Sequence, residues 1–238
     1  MKNKIFKILT LIFVVSSFMM ACSGGKSGDA TETADGFKEM KGEELESLNE
    51  GKEKDSILII DVRPEEEYLA GNIPNSINIL SDDIDKNIEK IKDYKENKII
   101  VYCNTGNRSA KAAKVLVDNG FKDVYNAQGV KEYEYKLVNY TDILASDLLD
   151  MMNEDGIVLV DYRPKDLYDK GHIKGAINIE LDEITDNLDK LPKDAKILLY
   201  CNTGTKSALA ADELTKLGYE NVFNSIEGVK EYDFDLVK

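Results

Sequence analysis

The sequence predicts an α/β protein made of two tandem domains, each with a small parallel β-sheet flanked by helices. The chain has 238 residues, which is enough for two domains of ordinary size. Several short blocks of sequence occur twice, about one hundred residues apart. Within each copy, short apolar runs alternate with longer amphipathic segments, a pattern typical of parallel strands joined by helical crossovers.

The composition indicates a folded body with a strong negative charge. Hydrophobic residues make up 42% of the chain and charged residues 32%, a balance typical of a protein with buried cores and a polar surface. The formal net charge of −14 disfavours binding to nucleic acids and to anionic lipid surfaces. A site for a small anion must therefore supply strong positive charge locally.

The N-terminus has the parts of an export signal. Three lysines, at positions 2, 4 and 7, precede an uncharged apolar run at residues 8–20, which is too short to span a bilayer comfortably. Residues 19–25, MMACSGG, resemble the end of a bacterial lipoprotein signal, with Met19 where that pattern usually has Leu. We therefore expect a signal peptide at 1–21, a lipidated Cys22 and an extracytoplasmic, membrane-anchored protein in the cell envelope or periplasm. An uncleaved anchor or ordinary secretion is the alternative.

Four repeated blocks define the two domains. The first copies are ILIIDVRP at 57–64, GNIPNSIN at 71–78, VYCNTG at 101–106 and GVKEY at 129–133. The second copies are IVLVDYRP at 157–164, GHIKGAIN at 171–178, LYCNTG at 199–204 and GVKEY at 228–232. We therefore predict a flexible tether at 22–36, a first domain at 37–138 and a second at 139–238. The junction has no Gly/Pro-rich linker, so we expect the domains to pack closely.

The apolar patterns predict individual elements. The β-branched runs at 57–60 and 99–102 are typical of strands buried on both faces of a parallel sheet. Residues 83–92 and 109–119 have helical spacing, and Gly120 follows the second segment as a C-terminal glycine.

A cysteine lies in the loop after the second of these strands. Cys103 ends a buried strand and precedes a helix, which places it at the carboxyl edge of the sheet, where α/β proteins bind ligands. Backbone N–H groups at such a turn can surround an anion and favour the reactive thiolate. Cys201 repeats this arrangement.

Arginine is scarce in this chain and is confined to the repeated blocks. Of the 31 basic residues only three are arginine, Arg63, Arg108 and Arg163. Retaining arginine in a chain that otherwise uses lysine suggests a need for its planar fork, which binds the oxygens of an anion. These arginines are candidates for binding an anionic substrate.

Taken together, the blocks resemble those of tandem rhodanese sulfurtransferases over residues 37–238. The blocks occur twice in the family's order: the Asp-Val-Arg strand end, the Gly-His-Ile block (intact in the second copy), the Cys-x-x-Gly-x-Arg-Ser loop (intact in the first copy) and the late glycine block. Three features depart from the family pattern: Asn72 replaces His, Lys206 replaces the loop arginine, and the late glycine block is incomplete in both copies.

The resemblance implies a sulfurtransferase that carries sulfane sulfur as a cysteine persulfide, from thiosulfate or a related anionic donor to a thiol or cyanide. It implies no metal and no organic cofactor. From the net charge we expect no nucleic-acid partner, and from the N-terminal signal we expect the membrane to be contacted only through the lipid anchor. Cys103 is the favoured catalytic residue because its loop keeps Arg108, and Cys201 is the second candidate. The expected donor-binding residues are Arg63, Asn104, Thr105, Gly106, Asn107, Arg108, Arg163, Asn202, Thr203, Gly204, Thr205 and Lys206.

Several alternatives stay open. The domains could bind a partner or carry persulfide without turnover. A phosphatase related to the Cdc25 type is disfavoured because Cys103 to Arg108 is Cys-x4-Arg, one residue shorter than that family's loop. The cysteines could also be buried hydrophobic residues or form a disulfide with each other. We expect His172 to be structural and Asp61 and Asp161 to hold the strand ends or loops.

Overall fold

The computed structural model describes residues 33–50, 54 and 56–238. The predicted signal peptide, Cys22 and most of the predicted tether lie outside these described residues. No helix in the described part of the chain is both long enough and apolar enough to cross a bilayer.

The first repeat folds as strands alternating with helices. Its elements are β1 Lys38–Met40, α1 Gly42–Glu50, β2 Ile57–Asp61, α2 Glu65–Leu69, β3 Ser76–Asn78, β4 Lys98–Tyr102, α3 Asn107–Asp118 and β5 Asp123–Ala127. Short 3-10 helices at Ser81–Asp83, Asp85–Asn87 and Lys92–Tyr94 connect β3 to β4.

The second repeat follows the same order. Its elements are β6 Thr141–Ile143, α4 Ala145–Met151, β7 Ile157–Asp161, α5 Lys165–Tyr168, β8 His172–Ile173, β9 Ile177–Asn178, β10 Lys196–Tyr200, α6 Thr205–Lys216, β11 Val222–Ser225 and β12 Leu236–Val237. Here 3-10 helices at Leu181–Glu183 and Thr185–Lys190 connect β9 to β10.

Ten strands form one continuous parallel sheet. Its order is β1-β5-β4-β2-β3-β6-β11-β10-β7-β9, so each repeat contributes five adjacent strands. The two halves meet where Ile77 of β3 pairs with Asp142 of β6. Strands β8 and β12 form a separate antiparallel pair. The predicted fold class, two α/β domains with parallel sheets flanked by helices, is confirmed.

The central strands are buried on both faces, as their continuous apolar runs predict. Leu58 and Ile60 of β2 face one core with Leu116 of α3. Ile57 and Ile59 face the opposite core with Leu45 of α1. Side chains alternate along a strand, so only a run without polar positions can fill both layers.

The predicted helix at 83–92 is wrong in type. The segment folds instead as 3-10 turns, although Ile84, Ile88 and Ile91 are all buried on the core, as the spacing predicts. The Asn87 side chain donates to the carbonyl of Asp83 at 2.8 Å, an example of the local side-chain bonding by which Asn competes with regular helix. Helix α3 does form, but it begins at Asn107, two residues before the predicted start.

The two domains pack closely, as the short junction predicts. The Asn72 amide donates to the carbonyl of Tyr140 at 2.9 Å, and the backbone N–H of Asp142 donates to the Tyr68 hydroxyl at 2.9 Å. The backbone N–H of Asn75 donates to the buried Asp142 carboxylate at 2.6 Å. Leu144 packs into the core of the first domain.

Candidate active site

Each repeat presents a cysteine at the carboxyl end of its central strand. Cys103 directly follows β4, and α3 begins four residues later. The loop turns into the helix at Gly106, whose φ of +76° is in the left-handed region that glycine adopts readily. Cys201 follows β10 in the same way, and Gly204, with a φ of +70°, precedes α6. The structure therefore forms two equivalent cysteine loops, each leading into a helix N-terminus.

The Cys103 loop favours the thiolate form. The Cys103 residue is only 1% exposed, and this burial raises the pKa of the thiol. The Ser109 hydroxyl donates to Sγ at 3.4 Å, and backbone N–H groups of Thr105, Arg108 and Ser109 also donate to Sγ. These hydrogen bonds outweigh burial, so the pKa of Cys103 lies below its usual value. The thiolate is the nucleophilic form of cysteine, and the lowered pKa favours that form.

The second loop repeats the thiol contact. The Ser207 hydroxyl donates to the Cys201 Sγ at 3.4 Å and to the carbonyl of Gly204 at 3.0 Å. Both Cys103 and Cys201 are free thiols, which contradicts the alternative that they form a disulfide with each other.

A glycine underlies each loop. A Cβ on Gly129 would lie 2.1 Å from the carbonyl oxygen of Asn104, and one on Gly228 would lie 2.0 Å from the carbonyl carbon of Asn202. The residue after the first glycine, Val130, donates its backbone N–H to the Cys103 carbonyl at 3.0 Å. The late glycine block of each repeat is therefore the floor of the cysteine loop.

The two strand-end arginines are part of the scaffold. Arg63 is 5% exposed and donates to Asp61 at 2.6 Å and to the Gly71 carbonyl at 2.7 Å. Arg163 is 4% exposed and makes the same bonds to Asp161 and Gly171. Buried and committed to these partners, the guanidinium groups are not presented to a ligand. The expectation that Arg63 and Arg163 bind the donor is corrected, whereas the aspartates hold the strand ends as expected.

His172 has a structural position. Its ring stacks on Tyr168 with centroids 3.8 Å apart, and Nδ1 lies 3.1 Å from the Tyr168 carbonyl. In the first repeat Asn72 replaces this histidine and donates to the Tyr68 carbonyl at 3.4 Å. The substitution therefore keeps a polar contact to the helix rather than removing a base.

The remaining predicted residues lie together on the two loops. In the first loop the Asn107 amide lies 3.5 Å from the Thr105 hydroxyl, and in the second the hydroxyls of Thr203 and Thr205 lie 3.3 Å apart. The first domain also contacts the second loop, because Lys54 donates to the Thr203 carbonyl at 2.9 Å.

Arg108 and Asn104 are both held by a carboxylate. The Asn104 amide donates to Glu67 Oε2 at 2.7 Å, and the Arg108 guanidinium lies 3.4 Å from the same oxygen. Burial raises the pKa of Glu67, but the hydrogen bonds from Asn104 and Arg108 lower it by a larger amount. The pKa of Glu67 therefore lies below its usual value. At the equivalent positions the second domain has Leu167 and Lys206.

Sequence reasoning missed some of the residues that form the site. Ser109 and Ser207 could have been found because they recur at the same offset as the cysteines. Glu67 leaves no such signal, since its counterpart in the repeat is Leu167. Within the described residues, no cluster of three or more His, Cys, Asp or Glu side chains is arranged to hold a metal ion.

The combination of this fold with two cysteine loops can be compared with known protein families. The fold and site define a class of parallel α/β domains with a cysteine in an amide-lined loop at the end of the central strand. The rhodanese-like domain model matches residues 44–134 and again 144–234. The chain therefore belongs to the rhodanese-like family and contains two such domains in tandem.

Curated relatives share one domain's length with this chain. A tRNA uridine(34) hydroxylase from Photorhabdus laumondii is 33% identical over 110 residues, which is 44% of this chain and 31% of the relative. The putative sulfur carrier protein YrkF of Bacillus subtilis is 28% identical over 80 residues, 34% of this chain and 43% of the relative. The chain thus spans less than half the length of either relative.

Two solved structures are similar to parts of this chain. A thiosulfate sulfurtransferase from Pseudomonas aeruginosa is 18% identical, with a TM-score of 0.38, over 86% of this chain and 41% of that chain. A rhodanese with anions from E. coli is 32% identical, with a TM-score of 0.33, over 34% of this chain and 96% of that chain.

Proposed function

We propose that the protein is a sulfurtransferase that moves sulfane sulfur from thiosulfate or a related donor to a thiophilic acceptor through a persulfide on Cys103. The observation that carries this proposal is the hydrogen-bonded Cys103 thiol with a lowered pKa, in a loop whose only cationic side chain is Arg108. The family and its sulfurtransferase fold support the reaction class.

The first half-reaction loads the cysteine. The Cys103 thiolate attacks the outer sulfur of thiosulfate, the sulfur–sulfur bond of the donor breaks, and sulfite leaves with the bonding electron pair. The product is a persulfide anion on Cys103. The backbone N–H groups of Thr105, Arg108 and Ser109, which already point at Sγ, are placed to stabilise the developing negative charge.

The second half-reaction removes the sulfur from the Cys103 persulfide. A thiolate or cyanide attacks the outer persulfide sulfur, and the Cys103 thiolate is the leaving group. The same low pKa that makes Cys103 a nucleophile also makes it a good leaving group. Each half-reaction balances without an external oxidant or reductant.

Donor oxygens would be bound by the side chains and backbone of the loop. For Cys103 these are Asn104, Thr105, Gly106, Asn107 and Arg108. For Cys201 they are Asn202, Thr203, Gly204, Thr205 and Lys206, with a Lys206 ammonium that lacks the planar fork of arginine. We therefore propose Cys103 as the better catalyst and Cys201 as a second sulfur-binding cysteine.

The proposed setting is extracytoplasmic, with Cys22 lipidated and the membrane contacted only through that anchor. This rests on the sequence at 1–25, which lies outside the described residues. The partners are a small anionic sulfur donor and a thiol or cyanide acceptor. The net charge of −14 argues against a tRNA substrate such as that named for one relative.

A sulfur-carrier role without rapid turnover is the second candidate, favoured by Lys206 in the second loop and by the relative named as a sulfur carrier. Phosphatase activity has less support. Besides the short Cys-x4-Arg spacing, the Glu67 carboxylate beside Arg108 would repel a phosphate dianion.

Turnover with thiosulfate and cyanide tests the proposal. We expect the reduced wild-type protein to produce thiocyanate and sulfite in equal amounts. Cys103→Ser should lose most of this activity, and Cys201→Ser should keep most of it. A persulfide that forms but does not turn over would favour the carrier role. Wild-type activity in both single variants and in the double variant would overturn the proposal.

A further inference from the structure

One acidic side chain faces the Cys103 loop from a neighbouring helix. Glu67 lies on α2 and is about as exposed as Arg108, with side-chain exposures of 35% and 36%. One of its oxygens accepts from Asn104 at 2.7 Å and lies 3.4 Å from Arg108, and the other lies 3.5 Å from Arg108. The carboxylate thus contacts the residue after the nucleophile and the cation of the loop.

This contact changes the charge of the site. Arg108 is the only cationic side chain in the Cys103 loop, and the ion pair with Glu67 cancels its charge locally. A dianion approaching Sγ must therefore compete with a carboxylate already bound to Arg108. Water screens a half-exposed ion pair, so the repulsion between the Glu67 carboxylate and the donor is modest. It acts on both negative charges of a dianionic donor.

The second domain is the natural comparison. Leu167 takes the place of Glu67 on α5, also at a half-exposed position, and Lys206 takes the place of Arg108. The Cys201 loop therefore has a cation, Lys206, but no carboxylate at the position that corresponds to Glu67. The two loops share the cysteine, the serine contact and the underlying glycine, but differ in charge.

We propose that Glu67 determines donor specificity at Cys103 by holding Arg108 and opposing dianionic donors, so that this loop prefers a small organic persulfide over thiosulfate. The inference rests on the proposed sulfurtransferase function and refines its substrate class. Glu67 does not touch the reacting sulfur and acts through Arg108 and Asn104.

The preferred loading step balances without a co-reactant. The Cys103 thiolate attacks the outer sulfur of a hydropersulfide, RS–SH. The sulfur–sulfur bond of the donor breaks, the thiolate RS⁻ leaves and takes a proton from water, and Cys103–S–SH forms. This donor brings no sulfonate oxygens, so it does not need to displace Glu67 from Arg108.

The experiment compares two donors on the full chain. In a Cys201→Ser background, we would measure the rate of sulfur loading by mass mapping of the peptide that contains Cys103, with thiosulfate and with cysteamine persulfide. The variants are Glu67→Leu, which copies the second domain, and Glu67→Gln, which removes the charge but keeps an acceptor for Asn104. The readout is the ratio of the two rates.

We expect both variants to raise the thiosulfate-to-persulfide ratio by about tenfold, as removal of one charge about 5 Å from a dianion predicts. Added salt should raise the same ratio more in the parent protein than in the variants, because in the parent it screens Glu67 in addition to the overall negative charge. An unchanged ratio in both variants, or a fall in it, would overturn the proposal. Loading of Cys103 by neither donor would overturn the sulfurtransferase function itself, a distinguishable result.

A reciprocal variant provides the matched control. In a Cys103→Ser background, Leu167→Glu should lower the same ratio at Cys201 if a carboxylate at this position opposes the dianion. A ratio that rises instead would count against the proposal. Thermal unfolding of every variant distinguishes a change in specificity from a loss of fold, and a ratio is insensitive to the fraction of folded protein.

Discussion

At the scale of single residues, the chemistry depends on a balance around one sulfur atom. Burial alone would raise the pKa of Cys103 and make it inert, but the Ser109 hydroxyl and three backbone N–H groups reverse that effect. Because the Ser109 hydroxyl is the only side-chain group among these donors, it is the one that a substitution can remove.

Ser109→Ala should therefore raise the pKa of Cys103. A hydrogen bond to a charged group contributes roughly 1.5 kcal/mol, so losing the Ser109 hydroxyl favours the neutral thiol. The pH profile of Cys103 alkylation, in a Cys201→Ser background, should move to higher pH, with slower reaction at neutral pH. Ser207→Ala is the control, because Ser207 bonds Cys201 and Gly204 in the other loop, and it should leave the profile in place. An unshifted profile in Ser109→Ala would show that the backbone donors suffice.

At the scale of elements, each cysteine loop rests on a glycine from a segment far along the chain. The Gly129 segment follows β5 and passes directly under Asn104. Real Cβ atoms do not approach a carbonyl oxygen to 2.1 Å, so any side chain here must displace backbone.

Gly129→Ala should disturb the Cys103 loop and leave the Cys201 loop intact. We expect sulfur loading at Cys103 to fall at least tenfold, because misplaced amide donors no longer meet Sγ. Gly228→Ala should produce the reciprocal loss at Cys201. Peptide mass mapping of the loaded protein separates the two cysteines. Normal sulfur loading at Cys103 in Gly129→Ala would show that the Gly129 segment can shift without displacing the amide donors of the loop.

The elements also show what the sequence can and cannot predict. Strands β2 and β4 are predictable because they are buried on both faces and have unbroken apolar runs. The 3-10 turns around Ile84 and Ile88 were mistaken for a helix, since the burial pattern of the two is alike. The scaffold role of Arg63 was missed because a repeated arginine suggests an anion site as readily as an internal ion pair. Glu67 was missed because it has no counterpart in the repeat.

At the scale of the whole molecule, the two domains share a buried carboxylate at their junction. Asp142 of β6 accepts from Asn75 of the first domain at 2.6 Å and from Asn224 of the second at 2.7 Å. Burial raises its pKa, and these bonds together with the charge of Lys54 lower it only in part, leaving a pKa of about 7. In the unfolded chain an aspartate has a pKa of about 3.9.

This difference predicts a pH dependence of stability. Between about pH 4 and pH 7 the folded protein binds a proton at Asp142 that the unfolded chain has lost, so stability from this group falls as pH rises and levels off above about 7. From pH 5 to pH 7 the free energy of unfolding should fall by about 2 kcal/mol more in the wild type than in Asp142→Asn. Urea unfolding at several pH values measures this, and parallel curves for the two proteins would contradict it.

In the proposed reaction of the whole protein, sulfane sulfur is held covalently on Cys103. The most direct test is to incubate the reduced protein, from residue 23 onward, with thiosulfate or cysteamine persulfide, and then to weigh the intact chain and map its alkylated peptides. We predict one added sulfur atom on the peptide that contains Cys103, lost on adding cyanide and absent in Cys103→Ser. No added sulfur from either donor, or sulfur that survives the Cys103→Ser change at full yield, would contradict the account.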